Sequence, residues 1–288
     1  MQKHPLVSIV IATKNEEKNI ASCLASLSQQ TYPYIELLLV DNHSSDKTRE
    51  IARRYTNNIY NLTDFIKLDN IKNHRGAQLN FGVKKASGEI IFFPDADMTF
   101  DKKLIDEAVQ ELKIYDALYI QERIIGKGLF GKIRDFERSF YNQTCIDAIR
   151  IIKKDLFLQS GGFDEKNISF GPDDWDFTKR IKQKTSKITI TESKIYHHEQ
   201  FPNVLSYITK KRKYTNTFKS YIDKWGPIDP DIKKQFGLYY RLLKVFIEKG
   251  KWRRLISHPI LSLGMFSLKL IIGLNFLIYR YTYEKYHR

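Results

Sequence analysis

Cysteine is nearly absent: the 288 residues contain two, Cys23 and Cys145. They have neither the paired spacing nor the neighbouring histidines of a zinc site, and they do not form a disulfide framework. Both read as buried small residues in a reducing compartment. The chain has no internal repeat and no low-complexity tract. Its 42% hydrophobic and 28% charged residues exclude general disorder. Residues 1–5 lead straight into a strand-like run, so no signal peptide is expected. Acids are scarce in one region only. Residues 201–288 carry 5 Asp and Glu against 18 Lys and Arg, while the first 200 carry 28 against 30, within a net charge of +15. This division suggests a near-neutral catalytic unit over 1–200 joined to a basic region over 201–288 that faces an anionic partner. The tail's positive charge lies beside a long apolar run, and no RNA- or DNA-binding motif accompanies it. An anionic membrane surface is therefore expected, and no nucleic acid.

The first 200 residues alternate strand and helix patterns. Residues 6–12 (LVSIVIA) are short, apolar and β-branched, as a strand buried on both faces should be. A helix is expected over 16–30, with Ile20, Leu24 and Leu27 on one face. A second buried strand covers 35–41. Ser44, Ser45 and Asp46 then offer caps to a helix over 47–55. A third strand is expected at 65–68, a helix over 76–86, and a central strand over 89–93. Such alternation implies an α/β fold with a mostly parallel central sheet flanked by helices. Ligands of these sheets sit beyond the carboxyl ends of the strands. Asp41 and the pair Asp95/Asp97 each follow a strand, so they should converge on one crevice. Further on, the expected elements are a strand at 117–125, a long helix over 129–146, and a tight turn at 161–164. A helix over 174–184 and strand material at 188–190 and 194–196 follow, with a helical tail from 202.

Asp95-Ala96-Asp97 puts two carboxylates at i and i+2 after a strand, an arrangement that suits a hard divalent cation with positions left for phosphate oxygens. An Asp-x-Asp taken alone is equally a solvated acidic turn; the neighbouring motifs decide between the two. VSIVIATKNEEKNI (7–20), LLLVDNHSSDKT (37–48), RGAQLNFGVKKASGEIIFFPDADM (75–98) and GGFDEKNISFGPDDWDFTKRI (161–181) occur in that order. Together they resemble the family 2 glycosyltransferases of the GT-A fold. The resemblance implies an inverting, metal-dependent transferase using a nucleotide-diphosphate sugar and Mg²⁺ or Mn²⁺. It assigns Thr13, Asn15, Glu16 and Asp41 to the nucleotide, with Asp41 on the base, and adds Asn80 to the donor-binding side. Asp97 would be the direct metal ligand, and Asp95 would meet the ribose or a metal-bound water. Most members carry Glu-Asp where this chain has Asp173-Asp174; by position Asp174 is taken as the base. Acids at a helix start are also favourable with the helix dipole. Neighbours on an extended chain point to opposite sides, so one of His197 and His198, not both, would complete the metal or diphosphate site, His197 being preferred. Arg75 is suited to a diphosphate. Trp175 is suited either to stacking on a sugar or to core packing. Lys210 to Tyr214 would approach phosphates or solvent.

A nucleotidyltransferase would show a Gly-rich loop after the first strand, where this chain has Ala12-Thr13-Lys14-Asn15-Glu16. Residues 255–279 are the most apolar stretch and long enough to span a membrane. However, His258, Ser262, Lys269, Gly273 and Arg280 fall within roughly a 60° arc at 100° per residue. Trp252, Arg253 and Arg254 before the stretch, and Tyr279, Tyr281, Tyr283 and Tyr286 after it, resemble interfacial anchors. A peripheral or monotopic helix on the cytoplasmic membrane face is expected first, a buried helix second, and a membrane pass third. That location implies a lipid-linked acceptor, a saccharide or a polyprenyl phosphate.

Overall fold

Strand β1 (Val7–Thr13) owes its position to its side chains: Val7, Ile9 and Ile11 pack to one side and Val10 to the other, all buried. The computed structural model of the chain describes residues 4–199, 204–215 and 217–286, the side chains of 211–215 and 276–286 excepted. β1 lies parallel between β2 (Ile35–Asp41) and β4 (Ile90–Phe92), with Thr13 opposite Asp41. β3 (Ile59–Asn61) extends this half beside β2. The other half comprises β5 (Met98–Phe100), β6 (Ala117–Ile125), β7 (Ile149–Lys153) and β8 (Ile188–His198). The eight strands run in the order β3-β2-β1-β4-β7-β6-β8-β5. Four of the seven described neighbour pairs are parallel; β4–β7, β7–β6 and β8–β5 are antiparallel.

The helices of the first 200 residues are α1 (Ile20–Ser28), α2 (Thr48–Ala52), α3 (His74–Lys85), α4 (Leu104–Glu111), α5 (Gly128–Arg138), α6 (Lys154–Gln159) and α7 (Asp173–Lys182). α1 and α4 cover one face of the sheet and α3 and α7 the other. Gly82 allows the close approach of α3, because a Cβ there would meet Val10 Cγ1 at 2.2 Å. Beneath the second face Phe93, Phe157, Phe163 and Phe177 form an aromatic block. Phe163 and Phe177 stack at 4.5 Å, and Phe93 stands edge-on to both at 5.6 Å.

Three expectations are corrected. The third strand lies at Ile59–Asn61, not at 65–68; Leu62 turns inward as a short 3₁₀ turn begins, while Phe65 is exposed. The expected helix over 129–146 ends at Arg138, where the chain turns back through a left-handed Gln143 (φ 57°). The Asp147 carboxylate closes this turn by accepting from Gln143 N at 2.8 Å. That return makes β7 a central antiparallel strand that the sequence pattern did not announce. Finally, 188–190 and 194–196 belong to one strand, carried past a register shift against β6.

The tail comprises α8 (Val204–Thr215), α9 (Phe218–Trp225), α10 (Pro230–Phe236), α11 (Val245–Ile247, preceded by a π-helical stretch over Tyr240–Lys244), α12 (Trp252–Ser257) and α13 (Pro259–Tyr286). It shares apolar clusters with the first 200 residues: Tyr240, Val245, Phe246 and Met265 with Phe136, Phe140 and Tyr141, and Tyr221 and Ile232 with Ile168. The side chains of 211–214, Tyr279, Arg280, Tyr281, Tyr283 and Tyr286 lie outside the described residues.

α13 is turned inside out. Its polar stripe faces the protein: Ser262 and Lys269 are buried, and Lys269 is only 7% exposed. Lys269 Nζ pairs with Glu137 of α5 at 2.5 Å, and Glu137 also meets Arg134 and Tyr141. Burial alone would raise the Glu137 carboxyl, but Lys269 and Arg134 hold it below the usual carboxylate range. Ile260 and Leu263, each 73% exposed, point outward together with Leu270, Ile271 and Leu274. At 100° per residue these five share an arc of about 100°. No helix among the described residues is long and apolar enough to cross a membrane.

Candidate active site

The carboxyl ends of β1, β2 and β4 meet, and the chain carries its acids there. The β1 turn and the β2 turn are laced together. Asn15, left-handed at φ 57°, receives Ser45 N on its Oδ1 at 2.9 Å, and Asn15 N donates to Ser44 Oγ at 2.8 Å. Glu16 N donates to Thr48 Oγ1 at 2.7 Å. Burial raises the Glu16 carboxyl, against a lowering hydrogen bond from Asn19, and the charges of Asp97 and Asp95 push it up further. Gln78 of α3, which sequence reasoning missed, donates to Thr13 O and Val40 O and so satisfies both strand ends.

Asp41 ends β2 beside Thr13 of β1. It is fully buried, accepting from Thr13 Oγ1 at 3.0 Å, Ser44 Oγ at 2.5 Å and Ser44 N at 2.7 Å. Its carboxylate shapes the β2–α2 turn, and three accepted bonds leave one of its lone-pair positions for a further donor. Asn80 is engaged elsewhere. It accepts from Phe163 N at 2.8 Å and donates to Phe163 O at 2.9 Å, holding the turn at Gly162 (φ 66°). Trp175 takes the packing alternative: it stacks on Phe218 at 5.7 Å and donates from Nε1 to Ile146 O at 3.0 Å.

The rest of the site is an ionic lattice. Arg75, at the start of α3, reaches Asp95 (2.8 Å), Asp173 (3.2 Å) and Asp174 (3.1 Å). Arg150 of β7 grips the other oxygen of Asp95 at 3.0 Å. Burial would raise the Asp95 carboxyl, but the two guanidinium groups hold it well below the usual carboxylate range. Asp173 is an anchor: it accepts from Asn73 Nδ2 at 2.9 Å and Gly171 N at 2.8 Å, and Asn73 in turn caps α3 through Gly76 N. Burial, and then the charge of Asp174, push the Asp173 carboxyl up. The Asp174 side chain is 25% exposed against 3% for Asp173, so Asp174 is the one open to the crevice. Asp176 is buried and committed to Arg180 and Trp225.

His197 and His198, at the end of β8, point in opposite directions. His197 Nε2 lies 3.1 Å from Asp97 and Nδ1 lies 3.0 Å from Glu122, while His198 Nε2 meets Thr99 Oγ1 at 2.9 Å. Burial lowers the basicity of His197, but the two carboxylates outweigh it and raise its pKa to about 10. Among the described residues, no three His, Cys, Asp or Glu side chains form a ready-made metal cage. Asp97 and His197 offer one carboxylate and one imidazole, and Asp95 is turned away to its arginines. This fits a cation such as Mg²⁺ or Mn²⁺ that takes few protein ligands and completes its shell with phosphate and water. Arg150, Glu122 and Asn73 were missed from the sequence. Arg150 sits in the unrecognised strand, and Glu122 in a strand read only for its apolar pattern.

A sheet of this order, flanked by helices and with acids at the carboxyl ends of its first strands, has the architecture of the GT-A fold. The family model for Glycosyl transferase family 2 matches residues 8–163, and that for Glycosyltransferase like family 2 matches residues 99–229. Glycosyltransferase AglE of Haloferax volcanii is 36% identical over 262 residues, covering 85% of this chain and 82% of that protein. Poly(ribitol-phosphate) beta-N-acetylglucosaminyltransferase TarS of Staphylococcus aureus is 25% identical over 207 residues; the match spans 66% of this chain but 35% of that protein. The solved mannosyltransferase PcManGT of Pyrobaculum calidifontis, in complex with GDP-Man and Mn²⁺, superposes with a TM-score of 0.62 at 18% identity, covering 96% of this chain and 88% of that one. TarS 1–349 in complex with UDP-GlcNAc gives 0.55 at 20%, covering 87% and 75%. The chain belongs to glycosyltransferase family 2, has the GT-A fold, and is a glycosyltransferase of glycan biosynthesis.

Proposed function

We propose that this chain is an inverting hexosyltransferase that moves a sugar from a nucleotide-diphosphate donor to a hydroxyl, or a phosphate, of a lipid-linked acceptor. The observation that carries this reading is one set of side chains past the strand ends: Arg75 joins Asp95 to the partly open Asp174, and two residues beyond Asp95 the Asp97 carboxylate faces His197. Asp174 accepts the proton of the attacking hydroxyl as charge develops on that oxygen, since an aspartate is a weak base on its own. Arg75 orients Asp174, and its guanidinium would reach a diphosphate by exchanging one of its three carboxylates for phosphate as the donor enters. Asp97 and His197 would hold Mg²⁺ or Mn²⁺, which supplies charge neutralisation to the leaving diphosphate. Thr13, Asn15 and Glu16 form the wall against which the nucleotide is held. The test is a thermal-shift panel of UDP-, GDP- and dTDP-sugars with and without Mn²⁺. One donor should raise the melting temperature, and more so with the ion; no shift with any of them overturns the reading.

The outward apolar face of α13 supports a peripheral or monotopic location on an anionic, cytoplasmic membrane face. Exposed Trp252, Arg253 and Arg254 lie just before it, and the two thiols are free. Leu263→Asp with Leu270→Asp should cut partitioning onto phosphatidylglycerol vesicles at least about tenfold, because each buried leucine contributes about 1.5–3 kcal/mol. Both residues are exposed, so the melting temperature should not move. Unchanged cosedimentation of the double variant would discard this docking face, and preference for duplex or single-stranded nucleic acid over vesicles would favour a nucleic-acid partner instead.

A further inference from the structure

We propose that Glu122 is a positioning residue that aims the His197 imidazole at the cation; this rests on the reading that Asp97 and His197 hold that ion. β6 and β8 are parallel, with Ile124 opposite His197 and Glu122 opposite Ile195. Glu122 is therefore the diagonal neighbour of His197 on the same face. Its Oε1 takes the Nδ1 side of the ring at 3.0 Å, and Nε2 at the far end faces Asp97 at 3.1 Å. With both ring nitrogens so placed, the ring orientation is fixed from behind.

Glu122 can do this because it is itself immobilised. It is buried, and its other oxygen accepts from Arg138 of α5 at 3.0 Å, with Arg150 at 3.9 Å. Arg138 is braced in turn by Asp147 at 2.7 Å. A carboxylate this deep persists as an anion only when paired, and two guanidinium groups supply the pairing. Arg150 also holds Asp95, so one buried carboxylate stands behind both the histidine and, through the arginine, the first aspartate of the acidic pair. A carboxylate behind a ligating histidine fixes its ring and leaves the other nitrogen free to coordinate.

The experiment measures Mn²⁺ affinity by the electron paramagnetic resonance signal of the free ion, with saturating UDP or GDP, for wild type, E122Q, E122A, H197A and E122A/H197A. Thermal unfolding serves as the folding control. E122A should weaken Mn²⁺ binding roughly 10–100-fold. E122Q should lose less, because its carbonyl oxygen still accepts from Nδ1, and it decides the matter if E122A does not fold. On the H197A background, adding E122A should cost no further affinity, whereas a merely structural role would cost the same with or without the histidine. Folded E122Q and E122A that bind Mn²⁺ as wild type does would overturn the positioning role alone. Wild type that takes up no Mn²⁺ with either nucleotide would overturn the metal reading and this role with it.

Discussion

Asp174→Asn should lower the transfer rate at saturating donor by a factor of about 10²–10⁴, the usual contribution of a positioned general base, while leaving donor affinity within error. The substitution keeps the shape and one oxygen facing Arg75 but cannot accept the proton. Arg75 retains Asp95 and Asp173 as counterions, so the lattice survives. Asp173→Asn provides the contrast. That side chain is buried between Asn73 and Gly171 N, so its loss should appear first as a lower melting temperature, from loosening the starts of α3 and α7. Single-turnover transfer with pre-bound donor separates the two effects. If Asp174→Asn turned over at the wild-type rate, the base would have to be sought elsewhere.

The half of the fold built from local pattern was legible in the sequence. β1 and β2 lie on their apolar runs, because a strand buried on both faces leaves a continuous apolar signal, and β6 is announced by its apolar start and end. β7 was not legible. Ile149–Lys153 is short and lies just past the end of a stretch that reads as helix, and its Arg150 pairs with Asp95 and Glu122, residues distant in sequence. Such long-range pairing leaves no periodic trace. The same holds within the site. Acids following strands pointed to the crevice, but which of them are open to it depends on partners distant in sequence. Asp41 is held by Thr13 and Ser44, Asp95 by two arginines, and Asp97 is left facing His197. In α13 the polar stripe was visible from 100° periodicity, yet the pattern alone does not say which side is solvent. Glu137 decides that, by drawing Lys269 inward.

Asp97→Ala should abolish metal-dependent nucleotide binding, lowering donor affinity in Mn²⁺ at least about a hundredfold, the upper end of what losing a group behind a metal ligand costs. The fold should tolerate the change. The Asp97 side chain is 30% exposed, and when its contact with His197 is lost its backbone carbonyl still ties it to β8 by accepting from His198 N at 2.9 Å. Titrating donor with Mn²⁺ and with EDTA should give two curves for wild type and one for the variant. Asp95→Ala should behave differently, because that carboxylate neutralises Arg75 and Arg150 together. Asp95 is as exposed as Asp97, at 30%, but its removal leaves the largely buried Arg75 and Arg150 facing one another without their shared counterion, so the melting temperature should fall. Lost stability for Asp95 and lost ion dependence for Asp97 is the pattern expected if the two acids divide their roles as the side chains divide their partners. Equal loss of ion dependence with unchanged melting for both would mean that Asp95 leaves its arginines to ligate the cation when donor binds.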